Sequence, residues 1–291
     1  SLKLRSGMDN YTIQYETIRA TGNPYWENNG SMTANMEKFT EINSDFLLTA
    51  KGNWDRFGIV GTVGGNMMYR NSTWYKESSG EFVIPDFHAI ANGKTHGGEY
   101  TRNRKQINSL YATASLSWDD YLYLDLTARN DWSSSLAFTD GVSFFYPSVG
   151  VSALLDKFLD FGKNVDLFKL RASYSIVGND VPIYASNKRY TIGDQGSIDP
   201  PEEAAFRTLK PEKTNSLEVG FDGTFFQNRF NVNLTYYKTN TKNQYFNITA
   251  PWETGLKNRY INAGNVENQG FEVSLGWYNQ FTDNFSWSTN F

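Results

Sequence analysis

YLYLDLTARN, residues 121–130, alternates apolar and polar side chains at almost every step. Successive side chains of an extended strand point to opposite faces, so this period of two predicts a strand with one apolar and one polar face. A helix would repeat every ~3.6 residues, and the chain contains no such repeat of useful length. The predicted apolar face carries Leu122, Leu124, Leu126 and Ala128. The predicted polar face carries Asp125, Thr127 and Arg129.

The same alternation recurs on both sides of this stretch. It predicts an all-β chain, an antiparallel meander of about eleven strands that are half buried. A single helical turn near residues 156–161 is the exception. The predicted strands are 2–18, 35–51, 57–70, 106–118, 121–131, 145–155, 167–177, 214–226, 229–240, 268–279 and 285–291.

The connections between these strands alternate between short and long. Alternate connections of a meander lie at opposite ends of the strands, so one end has tight turns and the other has long loops. Outer-membrane barrels have this asymmetry, with short periplasmic turns and long outer loops. It favours part of a large transmembrane β-barrel over a soluble sandwich. The long connections are 20–34, 71–105, 132–144, 178–213 and 241–269.

Aromatic residues flank several of the predicted short turns, among them Trp54, Phe57, Trp118 and Tyr121. Rings at this level suit the aromatic girdle that outer-membrane barrels place at the membrane interface. Ordinary pairing of rings between neighbouring strands is the alternative interpretation.

The overall composition excludes several classes of protein. The chain is 39% hydrophobic with a mean hydropathy of −0.55, and it lacks the run of about 18 apolar residues that a transmembrane helix needs. A net charge of −4 disfavours nucleic acid as a partner. The absence of cysteine excludes disulfides and thiolate metal sites.

Five stretches in the later two thirds of the chain carry a more specific signal, because they occur in a fixed order and spacing. They are LDLTARNDWSSSL (124–136), FFYPSVGVS (144–152), LFKLRASYSIVGN (167–179), LKPEKTNSLEVGFD (209–222) and NAGNVENQGFEVSLGW (262–277). Together they resemble the SusC/RagA family of TonB-dependent outer-membrane transporters. Residues 1–105 match the family only loosely, in strand rhythm and in the GTVGGN stretch at 61–66.

The resemblance implies a plugged barrel of about 22 strands in the bacterial outer membrane. In that family TonB acts through a plug region, and a SusD-like surface lipoprotein sits on the outer loops. Eleven strands cannot close such a barrel, so residues 1–291 are expected to form a partial barrel domain without the plug and the remaining strands. A small intact barrel is the alternative, because the chain ends FSWSTNF with aromatic residues at alternate positions.

Enzyme motifs are missing from the sequence, which predicts a protein without catalytic residues, bound metal or cofactor. Binding is assigned instead to aromatic side chains in long loops or at strand–loop junctions, although each ring could simply anchor its own loop. The ligand or lid-contact candidates are Tyr25, Trp26, Trp74, Tyr75, Trp132, Trp252 and Tyr260. The lumen-facing candidates are Asp125, Thr127, Arg129, Glu218, Asp222 and Glu272.

These charges have a structural alternative too, because Arg129 with Asp131 and Arg171 with Glu218 could be ion pairs of the wall. The sequence therefore predicts import of oligosaccharides or other nutrient oligomers, with outer-membrane lipid, TonB and a SusD-like lipoprotein as partners. A peptide importer of the same family, a passive porin and a surface adhesin are the alternatives.

Overall fold

The structure is a computed structural model that describes residues 1–22, 28–187, 189–192 and 196–291. Within these ranges, eleven strands form one antiparallel sheet in which each strand pairs with the next long strand along the chain. The predicted all-β meander is confirmed. Its strands are β1 Leu2–Arg19, β2 Ser31–Trp54, β3 Phe57–Glu81, β4 Gly97–Trp118, β5 Leu122–Ser133, β6 Ser143–Leu154, β7 Val165–Asn179, β11 Glu212–Phe225, β12 Phe230–Lys242, β15 Asn265–Thr282 and β16 Phe285–Asn290.

Five further strands lie in the long connections and were not predicted. β8 and β9 form a two-stranded sheet, and β10, β14 and β13 form a three-stranded one. They are too short to show a period of two in the sequence. Their bounds are β8 Thr191–Ile192, β9 Ile198–Asp199, β10 Glu203–Ala204, β13 Tyr245–Thr249 and β14 Asn258–Asn262.

The hairpin of β3 and β4 is longer than predicted at its loop end. The alternation predicts that one strand ends at residue 70 and that the next begins at 106, but the two strands stay paired as far as Ser78 and Gly97. The prediction that Trp74 and Tyr75 lie in a loop is therefore wrong, since both belong to β3. The reason is that polar side chains occupy both faces here, so backbone pairing continues after the alternation has faded.

Residues paired directly across the sheet share one face, so each row of pairs can be followed from strand to strand. The row through Leu124 is apolar over eight successive strands. Along β4 the same face stays apolar from Trp118 to Leu110, and Asn108 and Gln106 follow. A tilted strand needs about 9–11 residues to cross a membrane, which matches residues 110–118. The row is Ile59, Leu116, Leu124, Val151, Ala172, Val219, Tyr236 and Phe271.

The connections from β2 to β3 and from β4 to β5 are tight turns. They lie at the end of the sheet that carries the aromatic rings predicted to flank the short turns. Asp55, Asp119 and Asp120 adopt positive φ angles of 48°, 49° and 56°, which lets the strands reverse within a few residues. The rings of Trp118 and Tyr121 lie 5.3 Å apart between centroids. The single helical turn predicted near 156–161 is a 3-10 turn at Leu155–Lys157. Among the described residues, no helix is long and apolar enough to cross a membrane.

At the opposite end, three of the long connections pack together around five buried apolar residues. This loop core joins the connection after β5, the connection after β7 and the start of β6, and Tyr245 and Tyr260 of the third connection pack against it. A buried aliphatic side chain stabilises by about 1.5–3 kcal/mol, so the loops hold one another in place. The loop core consists of Leu136, Phe144, Val181, Ala185 and Leu209.

The connection between β3 and β4 is held by a buried asparagine of its own and by hydrogen bonds to the connection after β1, such as the one that the Asn29 amide donates to the Phe82 carbonyl at 3.1 Å. Asn92 is buried, and its side-chain amide donates to the carbonyl oxygens of Ile84 at 2.8 Å and Phe87 at 2.7 Å. Its carbonyl accepts from the Ile84 N–H at 3.1 Å. The side chain of Asn92 thus holds this connection together, and Phe82 at its start is fully buried.

Candidate functional site

The polar face of the sheet holds all six charged or hydroxyl residues that were predicted to face a lumen. Asp125 and Glu218 share one row, because Asp125 pairs with Gly150, Gly150 with Ser173 and Ser173 with Glu218. The same tracing places Thr127, Arg129, Asp222 and Glu272 on that face. The face lies opposite the apolar row of Leu124, so the structure separates the wet and apolar sides as a membrane barrel requires.

A row of hydroxyl side chains crosses this polar face on eight successive strands. Thr127 Oγ1 lies 2.6 Å from Ser148 Oγ, and Thr49 Oγ1 lies 3.0 Å from Thr62 Oγ1. The row therefore offers neutral donors and acceptors without a fixed charge. This hydroxyl row consists of Thr49, Thr62, Thr113, Thr127, Ser148, Ser175, Ser216 and Thr239.

One charged cluster lies beside the hydroxyl row, towards the loops. Arg129 Nε donates to Asp131 Oδ1 at 2.7 Å, and its Nη2 donates to Ser109 Oγ at 2.9 Å. The guanidinium also lies 5.7 Å from the centroid of the Tyr111 ring. Arg129 is thus held in place by Asp131, Ser109 and Tyr111 of the same sheet. Its ion pair with Asp131 is the one that the structural alternative predicted.

A second cluster lies towards the short turns and differs from the predicted pairing. Arg171 contacts Asp222 at 3.5 Å and donates to Thr235 at 2.6 Å, instead of pairing with Glu218. The reason is Gly220, which pairs with Arg171 across the sheet. A β-carbon on Gly220 would lie 2.5 Å from the Arg171 guanidinium carbon, so only glycine lets that side chain lie flat towards Asp222.

The connection after β7, residues 180–211, is fastened to the ends of β4 and β5. Asp180 accepts a hydrogen bond from Ser133 Oγ at 2.6 Å, and Lys105 Nζ lies 2.7 Å from the same carboxylate. Further along, the Arg104 N–H donates to the Tyr184 hydroxyl at 3.1 Å. This connection therefore lies against the loop end of β4.

A cleft of about 400 Å³ lies within that connection, where Asn103 of β4 and Tyr260 of the connection after β12 complete its lining. The Arg189 guanidinium stacks on the Tyr184 ring at 3.9 Å and donates to the Asn103 side chain at 3.3 Å. Burial, together with the nearby Glu203 and Tyr245, raises the pKa of the Tyr260 phenol above its ordinary value. The phenol therefore stays protonated and able to donate at neutral pH. The cleft is lined by Asn103, Tyr184, Arg189, Glu202, Glu203 and Tyr260, with neighbouring prolines and alanines.

Of the five aromatic candidates that the structure describes, it places only Tyr260 in this cleft. Tyr75 lies in β3 with its ring 5.1 Å from that of Tyr100, and Trp74 precedes it on the other face. Trp132 lies in β5 on the apolar face. Trp252 lies in a 3-10 turn of the connection after β12 and is 93% exposed.

The other two aromatic candidates, Tyr25 and Trp26, lie outside the described residues. Three residues that line the cleft were not predicted as site residues, namely Asn103, Tyr184 and Arg189. The reason is that polar loop residues show no periodicity that would group them. Among the described residues, no cluster of three or more metal-ligating side chains occurs.

The family assignment follows from a comparison along the whole chain. The model of the family described as "TonB dependent receptor-like, beta-barrel" matches residues 2–291. The chain belongs to this family. The recognition of a TonB-dependent receptor from the five motifs is thereby confirmed, and with it the location in the bacterial outer membrane.

Curated relatives of this TonB-dependent receptor chain include two TonB-dependent receptors of Formosa agariphila. One is 26% identical over 289 residues, which cover 94% of this chain and 27% of the relative. Another is 29% identical over 263 residues, which cover 86% of this chain and 25% of the relative. The chain thus spans about a quarter of the length of these relatives.

Solved structures show the same fold. The receptor chain superposes on a chain of the RagAB peptide transporter with a TM-score of 0.84 at 19% identity, covering 99% of this chain and 34% of that one. It superposes on the outer membrane transporter YddB of Escherichia coli with a TM-score of 0.59 at 15% identity, covering 95% and 37%. Both likenesses concern the fold of the barrel wall.

Proposed function

We propose that this chain forms part of the wall and outer mouth of a transporter that imports nutrient oligomers across the outer membrane with energy from TonB. The observation that carries the proposal is the pair of opposed rows. An apolar row meets lipid on one face, and an uncharged hydroxyl row lines a water-filled path on the other. Family membership supports coupling to TonB.

The sheet leaves β1 and β16 as its two edges, and an open edge within a bilayer would leave backbone groups without partners. Further strands of the whole protein therefore close the barrel, and a plug region fills it and receives the pull of TonB. Asp125, Thr127, Arg129, Glu218, Asp222 and Glu272 face that lumen in this proposal. The chain itself performs no covalent chemistry.

The imported ligand is an oligosaccharide or an oligopeptide, and a SusD-like lipoprotein covers the outer loops. The likeness in fold to the RagAB peptide transporter favours a peptide. The loop core supports the proposed lid, since it holds three connections as one ordered surface. Tyr260 contacts ligand from the cleft, whereas exposed Trp252 contacts the lid.

Energy coupling separates this proposal from a passive porin or an adhesin. Cells that express the full-length protein should accumulate fluorescently labelled oligopeptide or oligosaccharide, and loss of TonB should reduce the accumulation at least about tenfold. A matched strain that lacks the transporter gives the background. Uptake that is the same with and without TonB would indicate a porin, and binding without uptake would indicate an adhesin.

Trp252→Ala tests the lid contact. Because the ring is 93% exposed, its removal should leave the melting temperature of the protein unchanged. A tryptophan that anchors an interface contributes about 2 kcal/mol or more, so the Kd of the co-purifying lipoprotein should rise at least ~30-fold. Phe226→Ala, at a short turn on the opposite end of the sheet, is the control. Equal lipoprotein affinity in wild type and Trp252→Ala would remove Trp252 from the interface.

A further inference from the structure

A short length of β4 has no strand on one of its two sides. β4 extends to Gly97, and β3 pairs with it over this whole length. Its other neighbour, β5, ends at Ser133, which pairs with Ile107. Residues 97–106 therefore have a paired edge towards β3 and a second edge that no strand covers in the described parts of the chain.

Two hydrogen bonds show which backbone groups point to that second edge. The Gln106 N–H donates to Ser134 Oγ at 2.9 Å, and the Arg104 N–H donates to the Tyr184 hydroxyl at 3.1 Å. Both acceptors lie away from β3. Backbone groups of an antiparallel strand alternate between its two sides, so Gly98, Tyr100 and Arg102 direct their N–H and C=O groups to the same edge.

These three residues form what we name the open edge. Among the described residues, their edge-facing N–H groups have no hydrogen-bond partner. Unpaired strand groups of this kind are a template for an added strand. The segment is short, because the side chains of Ser134 and Tyr184 already take the next two positions.

The cleft lies directly beside the open edge. Asn103 is a residue of β4 and also lines the cleft, and Tyr184 both closes the edge at Arg104 and lines the cleft. Side chains of an added strand alternate between two faces. One set would point towards the cleft on the polar face, and the other would lie beside Tyr100, which is exposed on the opposite face.

We propose that the open edge binds an extended peptide by strand addition and that the cleft receives one of its alternate side chains. This rests on the proposed import function, because it names the class of the imported oligomer. A peptide presents an N–H and a C=O every second residue, about 6.6–6.8 Å apart, which matches the spacing of Gly98, Tyr100 and Arg102. An oligosaccharide has no such alternating row.

Proline at position 100 tests the edge without breaking the β3–β4 ladder. Tyr100→Pro removes an N–H that is not bonded to β3, and proline is accepted at such positions of edge strands. Tyr100→Ala removes the side chain but keeps the N–H, so the difference between the two variants reports the backbone donor. Full-length protein purified in detergent is incubated with a random library of synthetic pentapeptides, and retained peptides are quantified by mass spectrometry.

We expect Tyr100→Pro to retain the peptides about fivefold less tightly than Tyr100→Ala does, the effect of one lost hydrogen bond, since both variants lack the tyrosine ring. Heat-dependent migration in gels verifies that each variant is folded. Equal retention by the two variants, or no peptide retained by wild type, would overturn the proposal.

A second measurement needs no variant of the protein. A retained pentapeptide is synthesised with N-methyl groups on its even amides, and separately on its odd amides. Strand addition uses only one of the two sets, so one methylated peptide should bind more than about tenfold weaker while the other binds as before. Equal binding of the two methylated peptides would contradict strand addition.

The two proposals fail in different ways. Peptides that bind the open edge but enter cells independently of TonB would overturn the import function and leave the peptide site intact. TonB-dependent uptake of an oligosaccharide, with no peptide retained by the purified protein, would overturn the peptide site and leave the import function intact.

Discussion

Arginine in place of Leu124 is expected to lower the free energy of unfolding in lipid by about 2–4 kcal/mol, and arginine in place of Thr127 by much less. Leu124 belongs to the apolar row, so the charge of an arginine at this position would have to enter hydrocarbon. Thr127 lies three residues further along the same strand on the polar face, where water remains available. The largest cost of Thr127→Arg is the loss of the hydrogen bond between Thr127 and Ser148.

The measurement is unfolding of the full-length protein in lipid vesicles with increasing denaturant. Leu124→Ala and Thr127→Ala serve as controls that remove each side chain without adding charge. A similar loss of stability from arginine at both positions would show that the two faces do not differ in polarity. The assignment of the polar face to a lumen would then have to be withdrawn.

Phe144→Ala should destabilise the outer connections by about 3–5 kcal/mol, because it leaves a large cavity in the loop core. The ring is 5% exposed and packs edge-to-face on Tyr146 at 5.0 Å. The loss is local, since the spanning strands keep their pairing. Residues 180–211 should therefore exchange amide hydrogens faster and become sensitive to protease, while β5 and β12 remain protected.

The neighbouring residue supplies a matched control. Phe145 is 54% exposed on the apolar face, so Phe145→Ala removes the same ring at the same height without opening a cavity. Its effect on exchange in residues 180–211 should be small. Faster exchange in both variants to the same degree would mean that the loop core does not hold these connections together.

The sheet was predictable because one of its faces is apolar and the other is polar. That contrast produces a period of two, which located all eleven long strands and the order of their pairing. The period of two is lost wherever both faces of the sheet carry polar side chains. Residues 71–81 are polar on both sides, so the extension of β3 past residue 70 was missed, and Trp74 and Tyr75 were placed in a loop that begins only at Phe82.

The cleft was harder to predict than the sheet. Its residues come from β4 and from connections that are far apart in the sequence, and they meet because the loop core draws the connections together. Tyr260 was chosen as an aromatic residue in a predicted long connection, whereas its neighbours Asn103 and Arg189 carry no pattern at all. The predicted pairing of Arg171 with Glu218 failed for a local reason, the missing β-carbon at Gly220.

The outer connections differ in how freely they can change over evolutionary time. The connections after β5, β7 and β12 share the loop core, so a substitution in one must preserve its fit to the other two. The connection between β3 and β4 has its own hydrogen bonds at Asn92 and is also bonded to the connection after β1, where Thr21 donates to Asp86 and Asn29 donates to the Phe82 carbonyl. The outer connections therefore form two groups, and we expect substitutions to be compensated within one group rather than between the two.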